Sequence, residues 1–220
     1  MFFILQSIVS STNCISLSVI ANTTLATLAY IGHSQGTVIM FGLLSTRPEY
    51  SNKIKPFIAM APVTSVGNIK TLFKALKIGA FIKFKPGPFS LHHPVSKKKH
   101  QLSCLPIVGF LHGLRNFIMS GLDVQGLNFT RLPVYYATSP AGTSIWNILH
   151  YLQSCRTNTF SYFDYGIELN IQKYSSFEPP PYPIDAIYSS KIITYRAVKD
   201  ILSTPEDFEI LKQKLKGLCF

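Results

Sequence analysis

Ser34 sits in a pattern that can turn a serine hydroxyl into a nucleophile. Residues Gly32-His33-Ser34-Gln35-Gly36 read G-x-S-x-G, the spacing of a sharp strand-to-helix bend that lifts the serine side chain clear of the backbone. The two glycines are expected to let strand, turn and helix pass close together, so that a bulky side chain at Gly32 or Gly36 would clash with the backbone opposite. The bend also puts the Gln35 N–H beside the reacting carbonyl, as one half of an oxyanion hole. The chemistry this supports is acyl transfer through a serine ester. The pentapeptide alone also fits a plain surface turn. A carboxylate partner must come from elsewhere in the chain. Asp200 falls just after the apolar run Lys191–Tyr195, at what would be the carboxyl end of a strand; the alternative is an ordinary surface aspartate. Asp164 and Asp207 read as structural. Cys14, Cys104, Cys155 and Cys219 lie far apart, and the adjacent His92-His93 is a poor spacing for two ligands on one helix face, so neither a metal nor a cofactor is expected.

These residues need elements to hold them. Thr24 to Ile31 reads as a buried strand and Ser34 to Ser45 as a helix. Arg47-Pro48-Glu49 ends that helix, because proline cannot continue it. Ile54 to Ala61 reads as the next parallel strand, and strand, helix, strand makes an α/β sheet the economical fold. Ser65 to Leu76 has helical spacing, with Ile69, Leu72, Phe73 and Leu76 on one face. Leu102 to Leu122 is apolar and helical in part. Trp146, Ile148, Leu149 and Leu152 mark another short helix. Pro179-Pro180-Pro181-Tyr182-Pro183 reads as a rigid extended linker. The stretch 63–183 has too few strand signals to extend the sheet and is read as a helical insertion over the core. Lys191 to Tyr195 returns to strand texture, and Pro205-Glu206-Asp207 opens a last helix with Phe208, Leu211 and Leu215 on one face. The expected organisation is an apolar, signal-like segment over 1–23, a core with the bend over 24–64, a cap or lid over 65–184, and a core segment with Asp200 over 185–220.

The chain has 220 residues, 47% of them apolar and only 14% charged, which suits one folded domain with a greasy surface somewhere. The net charge is +11, but the basic residues are scattered. The one cluster, Lys97-Lys98-Lys99-His100, reads as a solvated loop. No arginine-rich stripe interleaves with aromatics, so no nucleic-acid site is expected; attraction to anionic lipid is compatible with the charge. Met1 to Val9 resembles the hydrophobic part of a signal peptide but lacks its basic start, and it is too short to cross a bilayer. Asn22-Thr23-Thr24 and Asn128-Phe129-Thr130 are acceptor sequences for N-glycosylation and are compatible with secretion.

Taken in order, several segments resemble the acid lipase family, the gastric and lysosomal acid lipases of the α/β-hydrolase superfamily. They are Tyr30-Ile31-Gly32-His33-Ser34-Gln35-Gly36-Thr37, Ile58-Ala59-Met60-Ala61-Pro62-Val63, Gly121-Leu122-Asp123, Asn128-Phe129-Thr130-Arg131-Leu132-Pro133-Val134-Tyr135, Ser139-Pro140-Ala141-Gly142-Thr143-Ser144, Phe163-Asp164-Tyr165-Gly166, Pro180-Pro181-Tyr182 and Lys199-Asp200-Ile201-Leu202. The resemblance runs from about Leu25 to the end of the chain. It implies a partial α/β-hydrolase fold, with a parallel-sheet core and a large, mainly helical cap or lid. It also implies hydrolysis of triacylglycerol or cholesteryl esters through a serine acyl-enzyme at a lipid–water interface, in a secreted or lysosomal setting. Ser34 matches the family's nucleophile, Gln35 the oxyanion N–H, Asp200 the triad acid, and Asn128 a glycosylated position.

The chain also departs from the family. A hydrolase triad runs Ser, Asp, His along the chain. The family's histidine comes further past the acid than the twenty residues that follow Asp200 here. All six histidines, His33, His92, His93, His100, His112 and His150, precede Asp200, so the triad histidine is absent from these residues. His33 is expected to be packed beside the serine, and the other five belong to the expected cap. The region before the bend does not resemble the family's first strands, which would leave one sheet edge unpaired. Cys104 lies near one family cysteine, and His112 stands about where its partner would be. The reading is therefore an incomplete lipase chain, weakly active or inactive as it stands. The alternative is a lipid-binding remnant without chemistry.

Overall fold

A computed structural model of the chain describes residues 26–70, 128–131, 145–188 and 191–215. Three parallel strands form one sheet in the order β1-β2-β3: Leu28–His33, Ile54–Met60 and Ile192–Tyr195. Helix α1, Gln35–Thr46, connects β1 to β2. It is apolar on nearly every side, as a helix buried between layers must be. Met40, Phe41, Leu43 and Leu44 are fully buried. Phe41 meets Phe57 of β2 edge to face at 5.0 Å, and the cluster extends to Ile54, Ile192 of β3 and Leu211 and Leu215 near the end of the described chain. Pro56 has no N–H for the ladder. It falls where the register with β1 slips by one residue, Leu28 opposite Ile54 but Tyr30 opposite Phe57, a position that tolerates proline.

The strand expected over 24–31 begins at Leu28 and reaches His33, and it is only half covered. Its side chains alternate between the core and the exposed face, where Ile31 is 66% exposed. Among the described residues β1 pairs with β2 alone, so its other edge is open. His33, expected to be packed, lies on that same exposed face.

The helix expected over 65–76 does not form over Ser65 to Lys70, which runs as turns, and 71–76 lie outside the described residues. Longer-range bonds hold this stretch in place of helical ones. The Gly67 N–H donates to Asn158 Oδ1 at 2.9 Å, and Asn68 donates through Nδ2 and its N–H to the buried Asp207 carboxylate at 2.8 and 3.2 Å. Asp207 belongs to α4, Pro205–Lys214. There its N–H donates to the Thr204 hydroxyl at 3.2 Å, a side-chain cap ahead of a proline-led first turn.

Two further helices precede β3: α2, Ile145–Thr157, where one was expected, and α3, Ile167–Tyr174. The region expected over 102–122 lies outside the described residues. The proline run expected as a linker is extended but packed. The Tyr162 N–H donates to the Pro180 carbonyl at 2.9 Å and the Tyr182 N–H to the Phe160 carbonyl at 2.8 Å. Tyr182 stacks between Phe160 and Tyr162, with ring centroids 4.5 and 4.3 Å away. Proline cannot donate to a ladder, but its carbonyl still accepts, and the aromatic residue among the prolines supplies the packing that the sequence pattern did not reveal.

Candidate active site

The bend follows β1 directly. Ser34 has φ 51° and ψ −112°, a conformation that a residue with a side chain keeps only when its surroundings hold it there, at roughly 1–3 kcal/mol. Four hydrogen bonds supply the hold. The Ser34 N–H donates to the Met60 carbonyl at the end of β2, 2.9 Å away. The Tyr30 hydroxyl donates to the Gly36 carbonyl at 3.0 Å. The Thr37 hydroxyl donates to the Ser34 carbonyl at 2.6 Å and accepts from the Val63 N–H at 3.0 Å. The close approach expected of both glycines exists at one. A Cβ on Gly32 would lie 2.9 Å from the Gly36 carbonyl carbon and 2.9 Å from a Tyr30 ring carbon. On Gly36, already within α1, it would meet the Tyr30 hydroxyl at 3.6 Å, an ordinary contact.

Ser34 and Gln35 line a cavity of about 350 Å³. Val38 of α1, Val63, Thr64 and Val66 after β2, Asn147, His150, Tyr151 and Ser154 of α2, and Leu202 also line it. The Gln35 side chain donates to Asn147 Oδ1 at 3.2 Å across this space. Asp200 stands five residues past β3 on the loop that carries Leu202. Its carboxylate accepts the N–H groups of Leu202 and Ser203, both at 2.9 Å. The Ser203 hydroxyl donates to the Pro62 carbonyl at 2.8 Å. The carboxyl ends of β2 and β3 are thereby tied together beside the bend. Ser34 and Gln35 face the cavity; Asp200 is joined to it through its loop rather than as part of its wall.

His150 is the histidine that the described residues bring to this cavity. Its Nε2 pairs with the Ser161 carbonyl at 3.1 Å, and its ring meets Phe163 edge to face at 5.6 Å. Burial pushes its pKa down to about 3, so the ring is neutral at physiological pH. The pKa of Tyr151, one residue on, is pushed up, chiefly by burial and then by the nearby Cys155, Asp207 and Asp200. Neither residue was singled out from sequence for this role. Asn147, His150, Tyr151 and Ser154 are spaced i, i+3, i+4, i+7, a single helix face, and that spacing was the available signal. His92, His93, His100, His112 and Asn22 lie outside the described residues. Asn128 is exposed, and the Thr130 hydroxyl donates to its Oδ1 at 2.7 Å. No cluster of three or more His, Cys, Asp or Glu able to hold a metal ion occurs among the described residues.

A parallel sheet with a strained serine on the strand-to-helix bend, at the carboxyl end of a strand and beside an apolar cavity, defines a partial α/β-hydrolase fold. No family model matches the chain. Individual lipases do. Gastric triacylglycerol lipase of Bos taurus is 35% identical over 205 residues, covering 88% of this chain and 50% of that protein. Human lipase member K is 34% identical over 199 residues, with the same two shares. Lipase lipl-1 of Caenorhabditis elegans is 35% identical over 190 residues, or 82% of this chain and 47% of that protein. These matches support an acid lipase-like chain, and it spans about half the length of the relatives it matches.

Proposed function

We propose that this chain carries the nucleophile-bearing part of a lipid-ester hydrolase. Its substrates are triacylglycerols or cholesteryl esters, met at a lipid–water interface. Ser34 Oγ attacks the acyl carbonyl and gives up its proton to a base. The oxyanion is held in part by the Gln35 N–H, and the alcohol leaves with a proton. Water then releases the fatty acid from the Ser34 ester. Asp200 is the acid that would orient a histidine base. The observation that carries this reading is Ser34 itself, strained at positive φ and opening onto an apolar cavity. Burial of apolar acyl carbons against Val38, Val63, Val66 and Leu202 suits a lipid ester.

The described residues assign no base to Ser34 Oγ. No histidine follows Asp200 in the 220 residues, and His150 has Nε2 engaged with a carbonyl. A serine triad without its histidine turns over about a million-fold more slowly, so a polypeptide of these 220 residues is expected to react slowly. A fluorophosphonate probe tests the serine. Slow labelling that Ser34→Ala abolishes is the expected result. Absence of labelling in a folded chain would leave the second reading, lipid binding without chemistry, which the apolar cavity also supports. The setting we propose is secreted or lysosomal, with a glycan on Asn128. Expression through the secretory route is expected to give a mobility shift on N-glycosidase treatment that Asn128→Gln removes. An unshifted wild-type chain would overturn that assignment.

A further inference from the structure

Thr37 ties three parts of the bend together, and nothing in the acyl-transfer chemistry accounts for it. Its side chain is fully buried, at 0% exposure. The hydroxyl donates to the Ser34 carbonyl at 2.6 Å while accepting from the Val63 N–H at 3.0 Å. The Thr37 N–H donates to the same Ser34 carbonyl at 2.9 Å. A hydroxyl with one proton, held by a donor on one side and an acceptor on the other, has no rotational freedom left.

The Ser34 carbonyl shares a planar trans peptide with the Gln35 N–H, so the two groups point in opposite directions along one rigid plane. Whatever fixes the carbonyl therefore fixes the N–H. Gln35 is the first residue of α1, and its N–H has no intrahelical acceptor. The Val63 end of the link matters equally. Val63 follows β2 and lines the same cavity as Ser34 and Gln35. That link fixes the hydroxyl's own orientation, so its proton stays on the Ser34 carbonyl. We infer that Thr37 is a positioning residue for the oxyanion donor: its hydroxyl locks the Ser34–Gln35 peptide plane so that the Gln35 N–H is aimed before substrate arrives. The inference rests on the proposed role of Gln35.

Thr37→Val keeps the shape and removes the hydroxyl, and Thr37→Ser restores it. The rate of fluorophosphonate labelling at Ser34 reads the donor, because the phosphoryl oxygen occupies the oxyanion position. Loss of an oxyanion donor outright costs about 10²–10³ in rate, and a donor that is misaimed is expected to cost about tenfold. Binding of a fluorescent fatty acid to the cavity does not use the donor. Thr37→Val should therefore label about tenfold more slowly than wild type with fatty-acid affinity unchanged, and Thr37→Ser should label at the wild-type rate. Equal labelling of wild type and Thr37→Val, or a parallel loss of labelling and fatty-acid binding, overturns the inference while leaving the hydrolase reading intact. A folded wild-type chain that takes no label overturns both. Should Thr37→Val fail to fold, Thr37→Ser against Thr37→Cys makes the same comparison, because these two differ mainly in hydrogen-bond strength.

Discussion

The strain at Ser34 and the crowding at Gly32 are one arrangement seen from two residues. The chain turns from β1 into α1 within a single residue, so strand and helix cross at Gly32 with no room for a side chain. Gly32→Ala is expected to destabilise the fold by about 1–3 kcal/mol, the usual cost of overpacking against backbone. Gly36→Ala meets only an ordinary contact among the described residues. It should lie within about 1 kcal/mol of wild type, on the stabilising side, because alanine is favoured over glycine in a helix. Chemical denaturation of the two variants measures the difference. Equal losses would contradict the geometry of the crossing. The pentapeptide spacing announced two glycines but could not rank them, because the ranking depends on where Tyr30 and the Gly36 carbonyl sit in three dimensions.

Between elements, α2 does more than cover the bend. Its side chains also bond to the chain that follows it. Gln153 exchanges two hydrogen bonds with the Asp164 backbone, at 2.7 and 3.0 Å, and His150 holds the Ser161 carbonyl. The burial of His150 makes stability pH-dependent. The folded-state pKa of His150 is depressed to about 3 from an ordinary value of 6.5. Between those values the unfolded chain binds a proton that the folded chain does not. The contribution is therefore fully present above pH 6.5 and is lost as pH falls toward 3. Lowering the pH from 7 to 5 should cost about 2 kcal/mol through this one group. His150→Gln should show a correspondingly flatter dependence over that range in denaturant titrations. An equal slope in both proteins would refute the assignment. The helix itself was legible from Trp146, Ile148, Leu149 and Leu152. Its polar stripe was equally present in the spacing, but which way the stripe faces is decided by packing against the bend.

At the scale of the whole molecule, charge and apolar surface act together. The chain carries +11, and Ile167, at 63% exposed, and Phe177, at 70%, stand on and just after α3. No described helix is long and apolar enough to cross a membrane. The expected outcome is retention on vesicles containing phosphatidylserine, weakened by added salt, which screens the electrostatic share. Retention should fall about tenfold when Ile167 and Phe177 are both replaced by serine, because each buries apolar area in the interface. No retention of the wild-type chain would remove the lipid-surface reading. The sequence by itself determined the local elements and the lipase resemblance: apolar runs marked β1, β2 and β3, the bend motif marked α1, helical spacing marked α2 and α4, and Gly and Pro punctuated them, because backbone preference and burial act over a few residues. Only the tertiary structure decided that Thr37 reaches Val63, that Asn68 holds Asp207, that Tyr182 is core rather than linker, and that α2 presents His150 to the serine's cavity. Each of those contacts joins residues far apart in the chain, and which partners meet is set by how the layers close on one another.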